Sequence, residues 1–498
     1  MATTSRDNAK TPLILTFDIG SSSIRTLLYD RLGRLVEGSL AAREHRFHTS
    51  PPGASEADPD ALLEILFACL DETLAKTTDL AGQIRGVASC VFVSNVCGVD
   101  AAGQVVLPLT TYADTRAVGE VAGLQADLDE TATYQRTGCR FHPSYLPARL
   151  RWLARTEPEK FPRVARWLSL SDYLTLKLFG RPTISYSVAS WSGLLNRHTL
   201  TWDEIVLAQL PLEIGQLSPL TDLDQPQQGL RPDFAARWPA LRNIPWFPTI
   251  GDGVGANIGS GCASAARVAL TIGTTSAMRA VIGPQVPGVP DGLWAYRVDK
   301  RRSLLGGALS EGGNLFDWLQ STVRLADLSQ LDAQVAALEP DGHGLTMLPF
   351  LTGERSPGWA GQARATIHGL TLATTPLQIL QAGLEAVAYR LAQVYRRLRP
   401  ALQEEPEIIV SGGALRQGTA WAQIIADVLG RPLFISDIPE ASSRGAALLA
   451  LEMLGICPDL SQLPAFLTDR YDPQPERFER YQQAIARQQT LYEKLISN

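Results

Sequence analysis

The sequence predicts an α/β protein made of two related domains with an interdomain cleft. The first observation is a motif that occurs twice: residues 17–25 read Phe-Asp-Ile-Gly-Ser-Ser-Ser-Ile-Arg, and residues 270–279 read Leu-Thr-Ile-Gly-Thr-Thr-Ser-Ala-Met-Arg. In each copy an apolar strand ends in Ile-Gly, three hydroxyl residues follow, and a second apolar stretch carries an arginine. The second observation is the length, because 498 residues exceed what one hydrophobic core usually supports.

Each copy of the motif is a candidate phosphate-binding turn. A glycine after a strand, followed by hydroxyl residues, forms a tight turn whose N–H and O–H groups converge on one anion. A hairpin turn without any ligand explains either copy alone, and the repetition favours function. We therefore predict that the turns hold one polyphosphate between the domains, with contacts from Gly20, Ser21, Ser22, Ser23, Gly273, Thr274 and Thr275.

Asp18 distinguishes the first turn from the second. It stands two residues before Gly20, whereas Thr271 holds the corresponding position in the second copy. A carboxylate at a strand end beside a phosphate turn suits water-mediated holding of Mg²⁺. The sequence therefore predicts that Asp18 positions a metal ion and that the second turn holds phosphate alone.

The first half opens with predicted antiparallel strands. Residues 13–17 and 24–29 are apolar runs, and Asp-Arg-Leu-Gly-Arg at 30–34 is typical of a hairpin turn. Asp58 and Pro59 then predict a helix that ends near residue 73, because aspartate is a good N-cap and proline suits the first helical position.

Three further segments of the first half carry weaker signals. The first eleven residues are polar and predict a loose tail. Residues 84–99 are strand-like. Residues 138–248 are rich in Trp, Pro and Leu with mixed helix signals, and we expect them to form an insertion that shapes a substrate cleft.

A run of small residues marks the expected junction of the domains. Glycines and alanines at positions 255, 256, 259, 261 and 263 predict a helix with a very small face that packs closely on its neighbour. We place the domains at residues 1–254 and 255–498. The second half repeats the plan of the first, with expected strands at 268–272, 277–282 and 408–410 and helices at 375–399, 421–429 and from 442 onward.

Asp252 is the candidate catalytic base. It lies between Gly251 and Gly253 at the end of an apolar strand, where its carboxylate has room to accept the proton of a hydroxyl that attacks a phosphoryl group. An ordinary turn aspartate is the alternative. The same segment fits the dinucleotide pattern G-x-G-x-x-A, but no acidic residue follows about 20 positions later, and Asp252 would repel a pyrophosphate.

Other polar and glycine-rich segments have two interpretations each. Gly412, Gly413 and Ala414, after a strand, would let the backbone approach an adenosine or would simply begin a helix. Glycine-rich residues 306–314, including Gly307 and Asn314, would line a nucleotide cleft or allow tight packing.

Asp114 and Arg116, two apart on an expected extended segment, would share a face that binds a polyol or form a solvated ion pair. No Walker A motif GxxxxGK[ST] is present.

Composition limits the partners. With 45% hydrophobic and 19% charged residues and a net charge of −6, the chain has neither the basic surface of a nucleic-acid-binding protein nor an apolar run that could span a bilayer. Its six cysteines contain no CxxC pair, and its six histidines show no metal-ligand spacing. We expect reduced thiols, no zinc, no nucleic-acid or membrane partner, and a cytoplasmic location.

Taken together, these residues resemble the FGGY carbohydrate kinases of the actin-like ATPase superfamily. The resemblance covers nearly the whole chain and depends on the order and spacing of short motifs. Besides the two turns and Asp252, these are Ser-Gly-Gly-Ala at 411–414 followed by Trp421, Gly-Glu-Arg-Ser-Pro at 353–357, Glu385, and Gly-Ala-Ala at 445–447.

The resemblance implies a fold and a mechanism. The fold is two ribonuclease-H-like domains, each a mixed five-stranded sheet with helices, hinged over a cleft. ATP with Mg²⁺ would lie mainly against the second domain and the sugar mainly against the first. By this resemblance, Asp252 would be the catalytic base and Asp18 would position Mg²⁺. Domain closure would exclude water, so that phosphate passes to the sugar.

Among family members the chain is most similar to gluconokinases and next to xylulokinases. Gluconate is therefore the expected substrate, and xylulose or another pentulose or polyol is the alternative. Tyr112 replaces the tryptophan of many sugar kinases, and Val-Ser-Asn at 93–95 replaces a His-Ser pair, which makes Ser94 a candidate substrate contact. An aldonate needs a cationic partner for its carboxylate, for which Arg116 is the candidate. A homodimer is an assembly that the resemblance leaves open.

Two rival functions belong to other classes. One is a non-enzymatic, nucleotide-driven switch on the same two-domain fold, in which the turn around Asp252 would be only a hinge. The other is a dinucleotide-dependent oxidoreductase. ADP release that depends on an added polyol separates the kinase from the switch, and titration with reduced nicotinamide tests the oxidoreductase.

Overall fold

Two mixed α/β halves, each built on a seven-stranded sheet, make up the fold. The computed structural model describes residues 2–284, 286, 288–325, 329–413, 418–457, 459–463 and 465–496. The expectation of two α/β domains is confirmed, whereas the expected five strands per sheet are too few, because short edge strands extend each sheet. The boundary at residue 254 stays a prediction.

The first sheet has the strands of the first turn at its centre. Leu13–Ile19 is buried along its whole length and pairs antiparallel with Ser23–Tyr29 and parallel with Ile84–Val91. The turn after Tyr29 is fixed by Asp30, whose Oδ1 accepts the backbone N–H groups of Leu32 and Arg34. The seven strands of the sheet are Thr3–Thr4, Leu35–Val36, Ser23–Tyr29, Leu13–Ile19, Ile84–Val91, Ile250–Gly251 and, paired to Ser23–Tyr29, Ala41–Glu44.

Two expectations for the first half are wrong. The N-terminal residues are not a loose tail, because Thr3–Thr4 pairs parallel with Leu35–Val36 and Arg6–Asn8 forms a 3₁₀ helix. The segment 84–99 is not one strand, since a break after Val91 precedes a separate strand, Val96–Val99. This second strand belongs to a small sheet of Arg166–Leu168, Val96–Val99, Val105–Thr110 and Glu56–Ala57.

The second sheet repeats the pairing around the second turn. Arg267–Ile272 pairs antiparallel with Ser276–Ile282 and parallel with Glu407–Ser411, as the corresponding strands do in the first sheet. Each turn therefore follows the carboxyl end of the equivalent central strand in its own sheet. In order across the sheet, the strands are Trp294–Asp299, Arg302–Leu309, Ser276–Ile282, Arg267–Ile272, Glu407–Ser411, Leu433–Ser436 and Leu467–Tyr471.

The helices begin where the sequence supplies caps. Asp58 caps Pro59–Lys76, which runs three residues past the expected end. Thr375 and Gln378 form a capping box at the start of Pro376–Leu398. The α-helices are Pro59–Lys76, Val121–Asp127, Glu130–Thr137, Leu146–Thr156, Leu170–Phe179, Tyr186–Ala189, Glu204–Leu207, Pro232–Arg237, Asp252–Gly259, Gly313–Thr322, Leu331–Ala336, Pro376–Leu398, Thr419–Leu429, Ala441–Met453 and Pro475–Leu495.

Short elements complete the chain. Two-stranded pairs are formed by Ile184–Ser185 with Leu220–Thr221, Leu195–Asn196 with Thr201–Trp202, and Thr346–Leu348 with Thr366–His368. The remaining 3₁₀ helices are Thr78–Gln83, Arg116–Glu120, Phe161–Arg163, Ser190–Ser192, Ile214–Gln216, Pro239–Leu241, Arg399–Ala401 and Leu460–Gln462. No helix in the described part of the chain combines the length and apolar character needed to cross a membrane. All six cysteines are free.

Helices Asp252–Gly259 and Ala441–Met453 join the two halves. They pack on each other, and Ala441–Met453 also packs on Leu13–Ile19 and Ile84–Val91 of the first sheet. Their small residues allow a close approach: a Cβ on Gly255 would lie 2.5 Å from the carbonyl oxygen of Ser442, and a Cβ on Gly445 would overlap the backbone of Gly255. The expected small-faced helix is therefore confirmed, and it contacts the backbone of a second one.

Candidate active site

Asp252 lies at the carboxyl end of the first sheet, close to Asp18. The strand before it, Ile250–Gly251, is separated from the strand of Asp18 by one intervening strand. Ile250, Cys90 and Asp18 share one row of the register. Ligands of open α/β sheets bind outside the carboxyl ends of the strands, so both carboxylates lie where a ligand is expected.

Two neighbours favour the charged form of the half-buried Asp252 carboxylate. Oδ1 accepts the backbone N–H of Gly253 at 2.7 Å. Burial raises the pKa of Asp252, while the Gly253 N–H and the positive charge of Arg279 oppose that rise. Arg279 is fixed in turn, because it donates to the Gly253 carbonyl at 3.1 Å and to Thr271 Oγ1 at 3.2 Å. A carboxylate in this setting can accept a proton.

Asp18 and Glu440 share the guanidinium of Arg25. Its Oδ1 accepts the Cys90 S–H at 3.2 Å, and its Oδ2 lies 3.9 Å from Arg25 Nη1, which is 3.1 Å from Glu440 Oε2. Burial is the main cause that raises the pKa of Asp18 to about 7; Cys90 and Arg25 oppose it, and the charges of Asp252 and Glu440 add to it. Such an excess of hard oxygen donors fits a divalent cation.

A cavity of about 290 Å³, here called the Asp252 cavity, opens beside Asp252. Both halves of the chain contribute to it. From the first half, its lining includes Ser94, Tyr112, His142, Ser144, Tyr145, Trp191 and Asp252; from the second half, it includes Thr275, Arg279, Trp294, Tyr296, Arg355, Trp359 and Ser442.

Aromatic rings give the Asp252 cavity a rigid wall. Trp191 stacks on Tyr296 with ring centroids 3.7 Å apart, and Tyr296 stacks on Trp294 at 4.4 Å. Ser94 adopts φ 55°, a left-handed conformation that is uncommon for a non-glycine residue, and its Oγ donates to the Trp191 carbonyl at 2.6 Å. Residues of the expected insertion, 138–248, therefore line this cavity.

A second cavity of about 530 Å³, here called the Trp421 cavity, lies in the second half. Apolar side chains provide one part of its lining and acidic or amide side chains another. Trp421 is held by its indole N–H, which donates to the Leu384 carbonyl at 3.1 Å. The described lining includes Gly273, Thr274, Gly313, Phe316, Asp317, Gln320, Leu331, Asp332, Val335, Leu384, Gly413 and Trp421.

The second turn separates the two cavities. Gly273 and Thr274 line the Trp421 cavity, and the next residue, Thr275, lines the Asp252 cavity. The turn is anchored from behind, because Gly313 N–H donates to the Gly273 carbonyl at 2.7 Å and Asn314 N–H donates to the Thr274 carbonyl at 3.1 Å. The second turn therefore contributes residues to the lining of both cavities.

The first turn lies beside Asp18 but lines neither cavity. Gly20 N–H donates to the Ser23 carbonyl at 3.0 Å, and His45 Nε2 lies 2.9 Å from the Gly20 carbonyl oxygen. Ser21 and Ser22 lie between these anchored residues. The phosphate contacts predicted for Gly20 and residues 21–23 stay predictions.

Several predicted nucleotide residues have structural roles. A Cβ on Gly307 would meet Ser356, Val394 and Leu293, so Gly307 faces packed side chains. Asn314 Oδ1 accepts the backbone N–H groups of Gly312 and Leu315. Gly412 adopts φ 114°, where a Cβ would overlap the backbone of Ile272. Of the three residues predicted after that strand, Gly413 lines the Trp421 cavity, and Ala414 lies outside the described residues.

Asp114 and Arg116 are not placed in the Asp252 cavity. Arg116 pairs with both Asp114 and Glu56, and Asp114 is fully buried, with Oδ2 accepting the Ser55 N–H at 3.0 Å. The segment is not extended, since Arg116 begins a 3₁₀ helix. A guanidinium with two carboxylate partners has little capacity left for a substrate.

Sequence reasoning missed two arginines and a histidine of the Asp252 cavity. An arginine follows both turns, which is a signal for Arg279, but only the fold shows that it contacts Gly253, the residue after Asp252. Arg355 lies in the Gly-Glu-Arg-Ser-Pro motif at 353–357, and the motif alone does not indicate that its arginine lines a cavity. His142 had no signal, because it lies in a Trp- and Pro-rich segment without regular periodicity.

Comparisons with known proteins give one consistent result. Residues 13–259 match the N-terminal domain of the FGGY family of carbohydrate kinases, and residues 268–453 match its C-terminal domain. The chain is 24% identical over 488 residues to a gluconokinase of Bacillus licheniformis, covering 95% of this chain and 94% of that protein. It is 25% identical over 503 residues to the xylulose kinase of Escherichia coli, covering 97% and 99%.

A solved structure shares the fold over the whole chain. The ligand-bound xylulose kinase from Lactobacillus acidophilus superimposes with a TM-score of 0.88 at 24% identity, covering 97% of this chain and 98% of that one. The expected two-domain fold is thereby confirmed.

Proposed function

The chain belongs to the FGGY family of carbohydrate kinases, and we propose that it transfers the terminal phosphoryl group of ATP to a hydroxyl of gluconate. Family membership makes the protein a sugar kinase and implies ATP as its phosphoryl donor. It also removes the support for a non-enzymatic switch and for an oxidoreductase.

One observation carries the assignment of the two cavities. The second turn lines the Trp421 cavity with Gly273 and Thr274 and the Asp252 cavity with Thr275. We propose that the nucleotide base lies in the Trp421 cavity and that the terminal phosphate rests on the turn. The acceptor then lies in the Asp252 cavity on the other side.

We assign two tasks to side chains of the protein, which are accepting one proton and supporting the group that accepts it. Asp252 accepts the proton of the attacking hydroxyl as its oxygen bonds to phosphorus and the bond to ADP breaks. Arg279 favours the charged form of Asp252 and fixes the neighbouring Gly253 carbonyl. Positioning the two reactants accounts for most of the acceleration in such reactions.

We propose that Asp18 positions Mg²⁺. The charges of Glu440 and Asp252 lie close enough to raise the pKa of Asp18. The carboxylates of Asp18 and Glu440, which share the guanidinium of Arg25, and the nearby charge of Asp252 provide hard, negatively charged surroundings that suit this ion. When bound, Mg²⁺ neutralises charge on the phosphate oxygens.

Gluconate is supported as the acceptor by one of the relatives and by the charge of the Asp252 cavity. The relative from Bacillus licheniformis is named a gluconokinase. The cavity lining includes Arg279 and Arg355 and one carboxylate, Asp252, which favours an acid over a neutral sugar. Xylulose, or another pentulose or polyol, is the alternative, since an aromatic wall accommodates any of them.

A screen of ADP release tests the substrate. The protein is incubated with ATP, Mg²⁺ and one acceptor at a time: gluconate, xylulose, ribulose or glycerol. We expect the largest kcat/KM with gluconate. A larger value with xylulose would replace the proposed substrate, and release that needs no acceptor would refute the assignment of the Asp252 cavity.

The variant Asp252→Asn tests the base. Loss of a general base typically costs about 10²- to 10⁴-fold in rate, so we expect kcat to fall by that factor while ATP still binds. Nucleotide affinity, measured by calorimetry, is the control for folding. Turnover at the wild-type rate would show that another group accepts the proton.

A further inference from the structure

We infer that Arg355, together with His142, binds the carboxylate of the substrate and so selects sugar acids over neutral sugars. This inference rests on the proposed function, because it assigns residues to the acceptor's acidic group. It replaces Arg116, which the sequence favours for this role, with an arginine that lines the Asp252 cavity.

Arg355 lines the cavity without a partner of its own. Its guanidinium makes no hydrogen bond or ion pair with any residue that the structure describes. The neighbouring acid cannot neutralise it, because the Glu354 carboxylate pairs with Arg390 and accepts the Tyr492 O–H at 2.6 Å. Arg355 is therefore available to an anion.

A tight turn holds Arg355 in place. The Trp359 backbone N–H donates to the Arg355 carbonyl at 2.6 Å, and the Trp359 indole N–H donates to the Gly292 carbonyl at 3.0 Å. Trp359 adopts φ 57°, a strained conformation that persists only where the surroundings impose it. The turn thus fixes the backbone of an arginine that lines the Asp252 cavity.

His142 provides a neutral donor next to this cation. Its Nδ1 accepts the Ser144 backbone N–H at 3.1 Å, so in the neutral ring Nε2 carries the proton. Burial, followed by the charges of Arg355 and Arg149, lowers the pKa of His142 to about 4. The ring also contacts Trp359, with centroids 5.7 Å apart. A cation beside an N–H donor matches a carboxylate.

The other charges of the cavity are already balanced. Asp252 and Arg279 act on each other's pKa, and the Arg279 guanidinium donates to the Gly253 carbonyl and to Thr271. Arg355 therefore carries the positive charge that is left over. An acceptor whose hydroxyl lies at Asp252 can direct its acidic group to Arg355.

The test compares Arg355→Gln with two reference variants in the full-length protein. Arg355→Lys keeps the charge without the forked geometry. Arg364→Gln is the matched control, because Arg364 is exposed and its described hydrogen bonds go to the backbone carbonyls of Gly361 and Ala363. The acceptors are gluconate, its neutral amide gluconamide, glucitol and xylulose.

We expect Arg355→Gln to raise KM for gluconate by roughly 10- to 150-fold, the range for loss of a charge-assisted hydrogen bond. KM for ATP should stay within about twofold, and kcat should change far less than KM. The preference for gluconate over gluconamide should disappear. Arg355→Lys should fall between Arg355→Gln and the wild type, and Arg364→Gln should match the wild type.

The outcomes separate this inference from the proposed function. If the wild type phosphorylates gluconate and Arg355→Gln keeps the same KM and the same preference over gluconamide, the role of Arg355 is refuted and the function stands. If kcat falls with KM unchanged, Arg355 acts on the transferred phosphate. If the wild type prefers xylulose or glucitol to gluconate, both proposals fail.

Discussion

Gly255 offers the sharpest test of how helix packing positions Asp252, the proposed base. It lies three residues after Asp252 in the helix Asp252–Gly259, and a Cβ there would stand 2.5 Å from the carbonyl oxygen of Ser442. An ordinary carbon–oxygen contact is about 3.3 Å, so Gly255→Ala must move the helix by about 0.8 Å. A backbone oxygen cannot rotate away as a side chain would.

The two expected effects of Gly255→Ala differ in size. Crowding a packed contact costs about 1–3 kcal/mol, and the higher helix propensity of alanine returns about 1 kcal/mol, so the net loss of stability is at most about 2 kcal/mol. A misplacement near 1 Å can lower a rate by about 100-fold. We therefore expect kcat to fall by roughly 10- to 100-fold in a folded protein.

The assay measures kcat with gluconate and the melting temperature of the same preparations. Gly215→Ala is the control, because a Cβ at Gly215 meets open space, and we expect it to leave both quantities unchanged. If Gly255→Ala keeps the wild-type kcat, the contact between the helices does not position Asp252. If it lowers the melting temperature by far more than that loss of stability predicts, the crowding affects the whole core.

Further predictions concern stability. Burial, followed by the charge of Glu354, raises the pKa of Glu311 to about 8, so the folded protein holds a proton that the unfolded chain releases above its usual pKa. As the pH rises from about 5 to about 8, Glu311 should therefore lower the free energy of unfolding by about 1.4 kcal/mol per pH unit. Glu311→Gln should remove this contribution to the pH dependence of thermal unfolding. An unchanged pH dependence would contradict the raised pKa of Glu311. Thr375→Ala, which removes the Oγ1 that accepts the Gln378 N–H, should cost about 1 kcal/mol, and no change in denaturant midpoint would show that the cap is dispensable.

The sequence predicted the parts of the fold that depend on local pattern. The repeated turns predicted two equivalent sheets because the pattern before and after each glycine is local, and Asp252 was placed correctly at a strand end for the same reason. The short edge strand Thr3–Thr4 was missed because two polar residues have no periodicity, and only their pairing with Leu35–Val36 makes them a strand.

Long-range contacts explain why parts of the candidate site were not predictable. Asp114 and Arg116 are close in sequence, and nothing local reveals that Glu56, from a segment some 60 residues earlier, completes an ion-pair network with them. Gly307 lies in a strand, and the sequence does not tell which face of the sheet it occupies; the structure turns it toward Val394.

The backbone from Gly273 to Thr275 lies between the two cavities, so the nucleotide and the acceptor would contact it from opposite sides. Any adjustment of this turn by one ligand changes the surface offered to the other, so their affinities are thermodynamically linked. If the nucleotide raises the affinity for the acceptor by some factor, the acceptor must raise the affinity for the nucleotide by the same factor. Calorimetric titrations with nucleotide first or with acceptor first should therefore give the same total binding free energy.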